Sequence, residues 1–360
     1  EDWVLFFKIT SCLLLVNPDH ATVWADRRRA IIGMNSQDDH VWRNELDFLD
    51  LLMTQHSKAP SSWAHRKYVL RQWMNQILAH KFINDTQDDN DTSSKKLQLL
   101  IQREIDTCTK VADQFPKNYY AWTHRRYLWQ QLQHYQQQLQ QHTASSIVEI
   151  TNTMFKLELN QMWTTWLPQH TSDHSAVHYT CQILELYMQQ EFQQQTGNGI
   201  PKIEVAKQAL TNVRTLLEEQ EQQDDNNHGH ESLWILRRMV CQILWKAKYT
   251  SSVAADNATK NSDSITQQQL VWNEIQSVME ELQQQHKESH TTNVHAWSFL
   301  AWCIVNLFQV SNGENGEKTT FCSGKTSMQP MLVYMALKNH PKMTHQLWKL
   351  EGAKLLQPST

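Results

Sequence analysis

Residues 115–127, Phe-Pro-Lys-Asn-Tyr-Tyr-Ala-Trp-Thr-His-Arg-Arg-Tyr, decide the fold of this chain. Pro116 ends a first helix, because its ring clashes with the preceding turn and disfavours helical geometry at the residue before it. Trp122 and Arg125 follow one turn apart, on the same face of a second helix. The stretch therefore predicts a helix, a short polar turn and a second helix.

The same Trp-x-x-Arg pattern recurs along the chain. Its good copies are Trp24 and Arg27, Trp63 and Arg66, Trp122 and Arg125, and Trp234 and Arg237. The helix before the third copy carries one buried stripe, because its apolar residues advance by three or four positions from Ile101 to Phe115. Repetition of helix, turn and helix predicts an all-α chain, a right-handed α–α superhelix (solenoid) of antiparallel helix-pair repeats.

Two of the copies are degraded. The fourth has Val177 and Thr180 where Trp and Arg are expected, and the sixth keeps Trp297 but has lost its Arg. Trp348 belongs to a closing remnant. The intervals between copies exceed what a helix pair needs, so we expect the extra residues in loops.

Composition excludes several classes. The chain has 360 residues with only 8 Gly and 8 Pro, which argues against an all-β protein. The net charge of −4 does not favour a nucleic-acid partner, which would select a basic surface. The six cysteines lie far apart, and five fall in apolar helical patterns, as expected for free thiols in a reduced, cytoplasmic protein.

We predict a single helical-repeat domain over residues 1–360. Polar, apolar-poor stretches predict mobile loops near 84–94, 251–264 and 311–326. Residues 3–16 are apolar but too short to span a bilayer, so we expect the first helix of the first repeat there and no stable membrane insertion.

The recurring Trp and Arg have a structural explanation. A Trp at the start of each second helix can fill the wedge between stacked pairs and aim its indole N–H at a polar partner. An Arg one turn later can bond carbonyls or carboxylates of the neighbouring pair with its planar fork of donors. Packing between repeats is therefore the expected role of these residues.

Residues 117–126, Lys-Asn-Tyr-Tyr-Ala-Trp-Thr-His-Arg-Arg, resemble the repeat of the protein prenyltransferase alpha subunits. Residues 63–66, Trp-Ala-His-Arg, and residues 24–27, Trp-Ala-Asp-Arg, support the resemblance. The wide spacing and the degraded copies are more similar to a divergent, repeat-containing branch of that family than to farnesyltransferase alpha subunits. That branch implies pairing with the beta subunit of Rab geranylgeranyl transferase.

The resemblance implies a division of labour. The alpha chain would be a crescent of helical hairpins around a barrel-shaped beta subunit, which would hold the zinc that activates the acceptor cysteine. Lys117 and Tyr119 match the Lys and Tyr that the family supplies to the isoprenoid diphosphate, and departing diphosphate needs such donors. The alternative is that Lys117 is a solvated turn residue. Lys58 ranks lower, because Pro60 replaces the Tyr.

Nothing in the sequence indicates a complete active site in this chain. His174 and His178, like His286 and His290, are four residues apart but lack a third ligand in a zinc pattern, so we expect surface or turn histidines. Two hypotheses remain. The first is the alpha-type subunit of a heterodimeric protein geranylgeranyltransferase that modifies C-terminal cysteines, and the second is a non-catalytic helical-repeat scaffold.

Overall fold

The structure is a computed structural model. It describes residues 2–34, 38–83, 87–139, 145–189, 202–223, 230–251, 270–271, 273–282, 293, 295–296, 298–300 and 302–303. The chain divides into two compact units, Glu1–Ile183 and Leu184–Thr360. Regular structure within the described ranges is helical throughout, with no strand, so the predicted all-α class is confirmed.

The first unit contains helix pairs in which each first helix is followed by a second helix. The first helices are α1 (Asp2–Val16), α3 (Asp39–Met53), α5 (Gln87–Gln114) and α7 (Ser145–Gln161). The second helices are α2 (Ala21–Gly33), α4 (Pro60–Ile83), α6 (Tyr119–Leu139) and α9 (His174–Gln189). After α7 the chain continues through a π-helical turn, Met162–Trp166, and the short α8, Leu167–Gln169.

Short capped turns join the first helix of a pair to its second helix. The His20 ring accepts a hydrogen bond from the backbone N–H of Val23 at the start of α2. Asp173 accepts from the backbone N–H groups of Ser175 and Ala176 at the start of α9. Such caps satisfy N–H groups that have no partner inside the helix.

The pairs of the first unit stack through two layers of helices. First helices contact one another from α1 to α3 and from α5 to α7, while second helices contact one another from α2 to α4 and from α4 to α6. Apolar side chains of both layers fill the space between them, among them Leu46, Leu70, Ile101 and Leu128. This stacking is the predicted array of helix pairs.

The second unit begins within α9 and includes α10 (Lys202–Gln223) and α11 (Glu231–Ser251), which pack against each other. Further helical residues lie within 273–282 and 298–300. Asn293 accepts a hydrogen bond from the backbone N–H of Ala296, so the sixth copy keeps the capped turn although it has lost its Arg. Trp234 and Phe299 are buried side by side in this unit, with ring centroids 6.0 Å apart.

One of the predicted loops is wrong in part. Helix α5 begins at Gln87, so residues 87–94 are helical, although 84–94 was predicted to be a loop. An acidic stretch of sequence is compatible with a helix start, because carboxylates near a helix N-terminus complement the helix dipole. Most of the predicted loop at 251–264 and all of 311–326 lie outside the described residues. The single domain stays a prediction.

Candidate functional site

The Arg of each repeat is buried against a carboxylate of the next helix pair. Arg27 of α2 donates from Nε and an Nη to the two carboxylate oxygens of Glu45 in α3, at 2.9 and 2.6 Å. His65 of α4 lies 2.7 Å from the same carboxylate, from Nε2 to Oε1. A single buried glutamate therefore joins two consecutive second helices through the first helix between them.

The next junction repeats this geometry. Arg66 of α4 donates to both oxygens of Glu104 in α5, at 2.8 and 2.6 Å, and His124 of α6 lies 2.7 Å from Oε2. All three side chains are fully buried. Arg66 also donates to Asp50 at 2.6 Å, which ties the junction to the preceding first helix.

The third junction explains how the degraded fourth copy still fits. Arg125 donates to both oxygens of Glu158 in α7, at 2.7 and 2.8 Å. Tyr179, at the position where earlier copies have His, donates its hydroxyl to the same carboxylate. Thr180, where Arg is expected, bonds its own helix at the carbonyl of Ala176. The helix pair of the fourth copy therefore binds Arg125 of the third copy, but the fourth copy has Thr180 and no Arg that could bind the following pair.

The second unit contains a fourth junction. Arg237 of α11 donates from Nε to Oε1 of Glu274 at 2.6 Å, and Arg214 of α10 donates to Oε2. Arg237 and Glu274 are both buried. The second donor, Arg214, lies on the first helix of the same pair, whereas the His or Tyr of the earlier junctions lies on the next second helix.

In the first unit, each repeat Trp lies against the His or Tyr of the junction that the Arg of its own copy forms. Trp24 stacks on His65 with ring centroids 4.4 Å apart, Trp63 lies 5.3 Å from His124, and Trp122 lies 5.1 Å from Tyr179. Their indole N–H groups donate to Pro18 O, Ser57 O and Asp173 Oδ2, respectively. The buried Trp therefore fills the space between pairs while its N–H is satisfied by a turn.

Burial and charge set the protonation of these junctions. Burial alone raises the pKa of Glu104, but the nearby Arg66 and His124 outweigh that effect and lower the pKa to about 2. Burial lowers the pKa of His124 more than Glu104 raises it, and His65 behaves in the same way. The first two junctions therefore combine an ionised glutamate with a neutral histidine that donates from Nε2, and Nδ1 of His65 and of His124 has no hydrogen-bond partner among the described residues.

These shifts predict that the chain loses stability below pH 6.5. His124 and His65 have folded pKa values below the ordinary 6.5, so the unfolded chain binds more protons as the pH falls. Each can contribute a slope of at most about 1.4 kcal/mol per pH unit. The lowered pKa of Glu104 adds a further loss between the ordinary 4.5 and about 2. Urea unfolding at pH 7, 6 and 5 measures this.

A matched pair of variants isolates the histidine contribution. His124→Gln keeps an N–H donor for Glu104 but does not titrate, so its stability should fall less between pH 7 and 5 than that of the parent. The same replacement at the exposed His40 is the control and should leave the pH slope unchanged. Equal slopes in the parent and His124→Gln would contradict the assignment.

The turn between α5 and α6 carries the candidate catalytic pair. Its central residue, Asn118, is fully buried and donates from Nδ2 to the carbonyl of Ser57 at 2.9 Å. Its Oδ1 accepts from the backbone N–H groups of Tyr120 and Ala121. Asn118 therefore caps α6 and fixes this turn to the turn of the preceding pair.

The residues on either side of Asn118 point out of the fold. Lys117 is exposed, and Tyr119 is 61% exposed. Lys117 has a φ of 59°, and no other non-glycine residue in the described part of the chain has a positive φ. Tyr119 also affects the pKa of the half-buried Lys67 of α4. Burial lowers that pKa, and the electrostatic effect of Tyr119 partly offsets the decrease. The turn thus exposes the Lys117 ammonium and the Tyr119 phenol, while the buried Asn118 between them fixes the backbone of the turn.

The other sequence candidates belong to other turns and helices. Lys58 is exposed in the turn before α4. His174 and His178 are exposed on α9, and His286 and His290 lie outside the described residues. Within the described ranges, no group of three or more His, Cys, Asp or Glu side chains is placed to hold a metal ion. No helix in those ranges has the length and apolarity to cross a bilayer.

The comparison with known protein families fits this geometry. Residues 42–73 and 101–132 match the protein prenyltransferase alpha subunit repeat. These two segments carry the alpha subunit repeat. The first matched segment contains Glu45 with Trp63 and Arg66, and the second contains Glu104 with Trp122 and Arg125.

Several individual proteins are similar to this chain. Protein prenyltransferase alpha subunit repeat-containing protein 1 of Homo sapiens is 30% identical over 256 residues, which are 64% of this chain and 57% of that protein. Protein 1-B of Xenopus laevis is 25% identical over 281 residues, 72% of this chain and 59% of its own length. The geranylgeranyl transferase type-2 subunit alpha of Saccharomyces cerevisiae is 27% identical over 183 residues, 51% of this chain and 45% of its own. The chain thus spans less than two thirds of these relatives.

The carboxylates of the junctions are the residues that sequence reasoning missed. Glu45, Glu104, Glu158 and Glu274 are each at most 3% exposed, and each binds the Arg of a repeat. A signal for them exists in the sequence. Glu104 lies between Ile101 and Ile105 on the apolar stripe of α5, where a charged residue requires a buried partner.

Proposed function

We propose that this chain is the alpha-type subunit of a heterodimeric protein prenyltransferase. Two segments that match the alpha subunit repeat support this proposal, and so do relatives of 27% and 25% identity that are named geranylgeranyl transferase type-2 subunit alpha. The proposed reaction transfers a geranylgeranyl group from its diphosphate to a C-terminal cysteine of an acceptor protein in the cytoplasm. The proposed partner is a beta subunit of the Rab geranylgeranyl transferase type.

The observation that carries this proposal is the backbone of Lys117. A φ of 59° in the turn between α5 and α6 is a conformation where glycine is favoured, because a Cβ is strained there. A lysine at such a position argues that its side chain is needed, since strained backbones cluster at functional sites. Its exposure leaves the ammonium accessible to a ligand.

The proposed mechanism follows from the charge of the leaving group. As the carbon–oxygen bond of the isoprenoid diphosphate breaks, negative charge accumulates on the diphosphate. The Lys117 ammonium stabilises that charge, and the Tyr119 hydroxyl donates a hydrogen bond to it. Because Asn118 is fixed by Ser57 and by the start of α6, the two donors need little reorganisation during the reaction. A zinc ion held by the beta subunit would lower the pKa of the acceptor cysteine thiol, so that this thiol loses its proton and becomes the nucleophile.

A second function is supported by a different observation. Relatives that cover more of this chain than the transferase subunits do are named only for their repeats. A helical-repeat scaffold that binds proteins without catalytic duty is therefore the alternative. It needs the junctions around Glu45, Glu104 and Glu158, but not Lys117.

Purification of the chain from its native source, followed by mass spectrometry, tests the assembly. We expect a prenyltransferase beta subunit to co-purify at a 1:1 ratio through gel filtration, because the proposed site is completed by that subunit. The matched control is a chain with Glu104→Ala, whose weakened second and third pairs should retain less beta subunit. Co-purification of other proteins without any beta subunit would favour the scaffold.

A further inference from the structure

Two second helices of the first unit, α4 and α6, carry basic residues but no acidic residue of their own. Helices α4 and α6 contain no Asp or Glu over Pro60–Ile83 and Tyr119–Leu139. The buried Arg66 and Arg125 are neutralised by glutamates of the first helices. The remaining accessible cations of this layer therefore give it a positive surface.

Three of these cations form a basic stripe, which we define as Arg28, Lys67 and Arg71 with the rings of Tyr68 and Tyr127. The Arg28 guanidinium lies over the Tyr68 ring at 5.9 Å, and the Lys67 ammonium lies over the Tyr127 ring at 5.3 Å. Both distances are within the range of cation–π attraction. The stripe thus runs across α2, α4 and α6, which contact one another in that order.

No carboxylate among the described residues pairs with the cations of the stripe. Burial lowers the pKa of Lys67, and the group that opposes this decrease is the phenol of Tyr119, not a carboxylate. Arg71 is exposed, and its charge lowers the pKa of the Tyr127 hydroxyl against the raising effect of burial. A half-buried ammonium without a counter-ion is costly, and an incoming anion would relieve that cost.

We propose that the basic stripe is a docking site for an acidic, carboxylate-bearing segment of a partner protein. Neighbouring helix axes are about 8–10 Å apart, so a stripe over three helices extends for roughly 20 Å. A single small anion cannot reach across it, whereas a peptide segment with several spaced carboxylates can. Tyr and Arg together are typical of protein interfaces, where rings add contact area to charge pairing.

The charge of the chain favours a protein over a nucleic acid. The chain has a net charge of −4, so a long phosphate backbone that extends beyond the stripe would meet a negatively charged protein. A folded partner with a local acidic patch would place its charge at the stripe alone. The inference does not depend on a catalytic role for Lys117.

Fluorescence anisotropy with a labelled 16-residue poly-L-glutamate probe and the full chain tests the stripe. Lys67→Ala combined with Arg71→Ala should weaken binding about tenfold, since two charge pairs of about 0.7 kcal/mol each are lost. Lys110→Ala combined with Lys156→Ala removes the same charge from exposed positions of α5 and α7 and should change binding less than about twofold. Equal weakening by both double variants would overturn the proposal.

Two further measurements separate the alternatives. A 16-nucleotide single-stranded DNA and inorganic diphosphate should each bind more weakly than the probe. Tighter binding of either that is lost in the Lys67/Arg71 variant would overturn the proposal. Lys67→Met should leave the melting temperature at or above that of the parent, because no ion pair is lost. A fall of several degrees would show that Lys67 is a structural residue and would also overturn it.

Discussion

Glu104→Ala is expected to lower the free energy of unfolding of the chain by about 3–5 kcal/mol. The carboxylate is fully buried and binds Arg66 and His124, which belong to two different second helices. Its removal leaves the Arg66 guanidinium buried with only the partly exposed Asp50 as a counter-ion. Urea unfolding monitored by far-UV circular dichroism measures the change.

The control for this variant lies on the same helix. Asp106→Ala removes an exposed carboxylate of α5 that accepts only a hydrogen bond from Gln102, so its effect should stay within about 0.5 kcal/mol. Combining Glu104→Met with Arg66→Met should recover much of the loss, because the buried charge is removed together with its partner. An effect of Glu104→Ala below about 1 kcal/mol would contradict the role of the junctions.

The sequence was sufficient to predict the helix pairs because their signals are local. Pro116 ends a helix by its own ring, and Trp122 and Arg125 are placed one turn apart by helical geometry alone. The expected direction of the repeat Arg, towards the neighbouring pair, also follows from its donor geometry. Arg27 and Arg66 both bind carboxylates of the next pair.

The partners of these residues could not be assigned from the sequence, because they depend on tertiary contacts. Arg66 and Glu104 are 38 residues apart, and the distance varies between junctions with the length of the intervening loop. Tyr179 shows the same difficulty: it keeps the junction at Glu158 although its copy looked degraded. The start of α5 at Gln87 is difficult to predict for a different reason. The acidic stretch near 84–94 lacks apolar residues, which favours a loop, although such a stretch is also compatible with a helix start.

The candidate site was predicted only as a pair of residue types in a turn. The sequence placed Lys117 and Tyr119 there, but it did not indicate the positive φ of Lys117 or the burial of Asn118 between them. The basic stripe beside the site was also missed. Arg28, Lys67 and Arg71 come together only when α2 and α4 stack in the same layer.

Lys117→Ala is expected to lower the rate of prenyl transfer by about 10²–10³ in the heterodimer reconstituted with the beta subunit. The loss should fall on turnover and not on binding of the isoprenoid diphosphate, because the leaving group gains charge only in the transition state. The melting temperature of the chain should stay close to that of the parent, since Lys117 is exposed and makes no ion pair with a described residue.

Three variants of the same region serve as comparisons. Lys117→Gly should lose the same activity while raising stability by up to about 1 kcal/mol, because glycine relieves the positive φ. Tyr119→Phe should cost less than Lys117→Ala, since it removes one neutral donor. Lys58→Ala removes an exposed lysine from the preceding turn and should leave the rate unchanged.

The single-turnover rate constant of the Lys117→Ala heterodimer, measured with a C-terminal cysteine peptide and geranylgeranyl diphosphate, tests the central claim most directly. The alpha-type subunit role proposed for this chain predicts a rate about 10²–10³ below that of the parent heterodimer, with assembly intact. A Lys117→Ala heterodimer that transfers the prenyl group at the parent rate would contradict it.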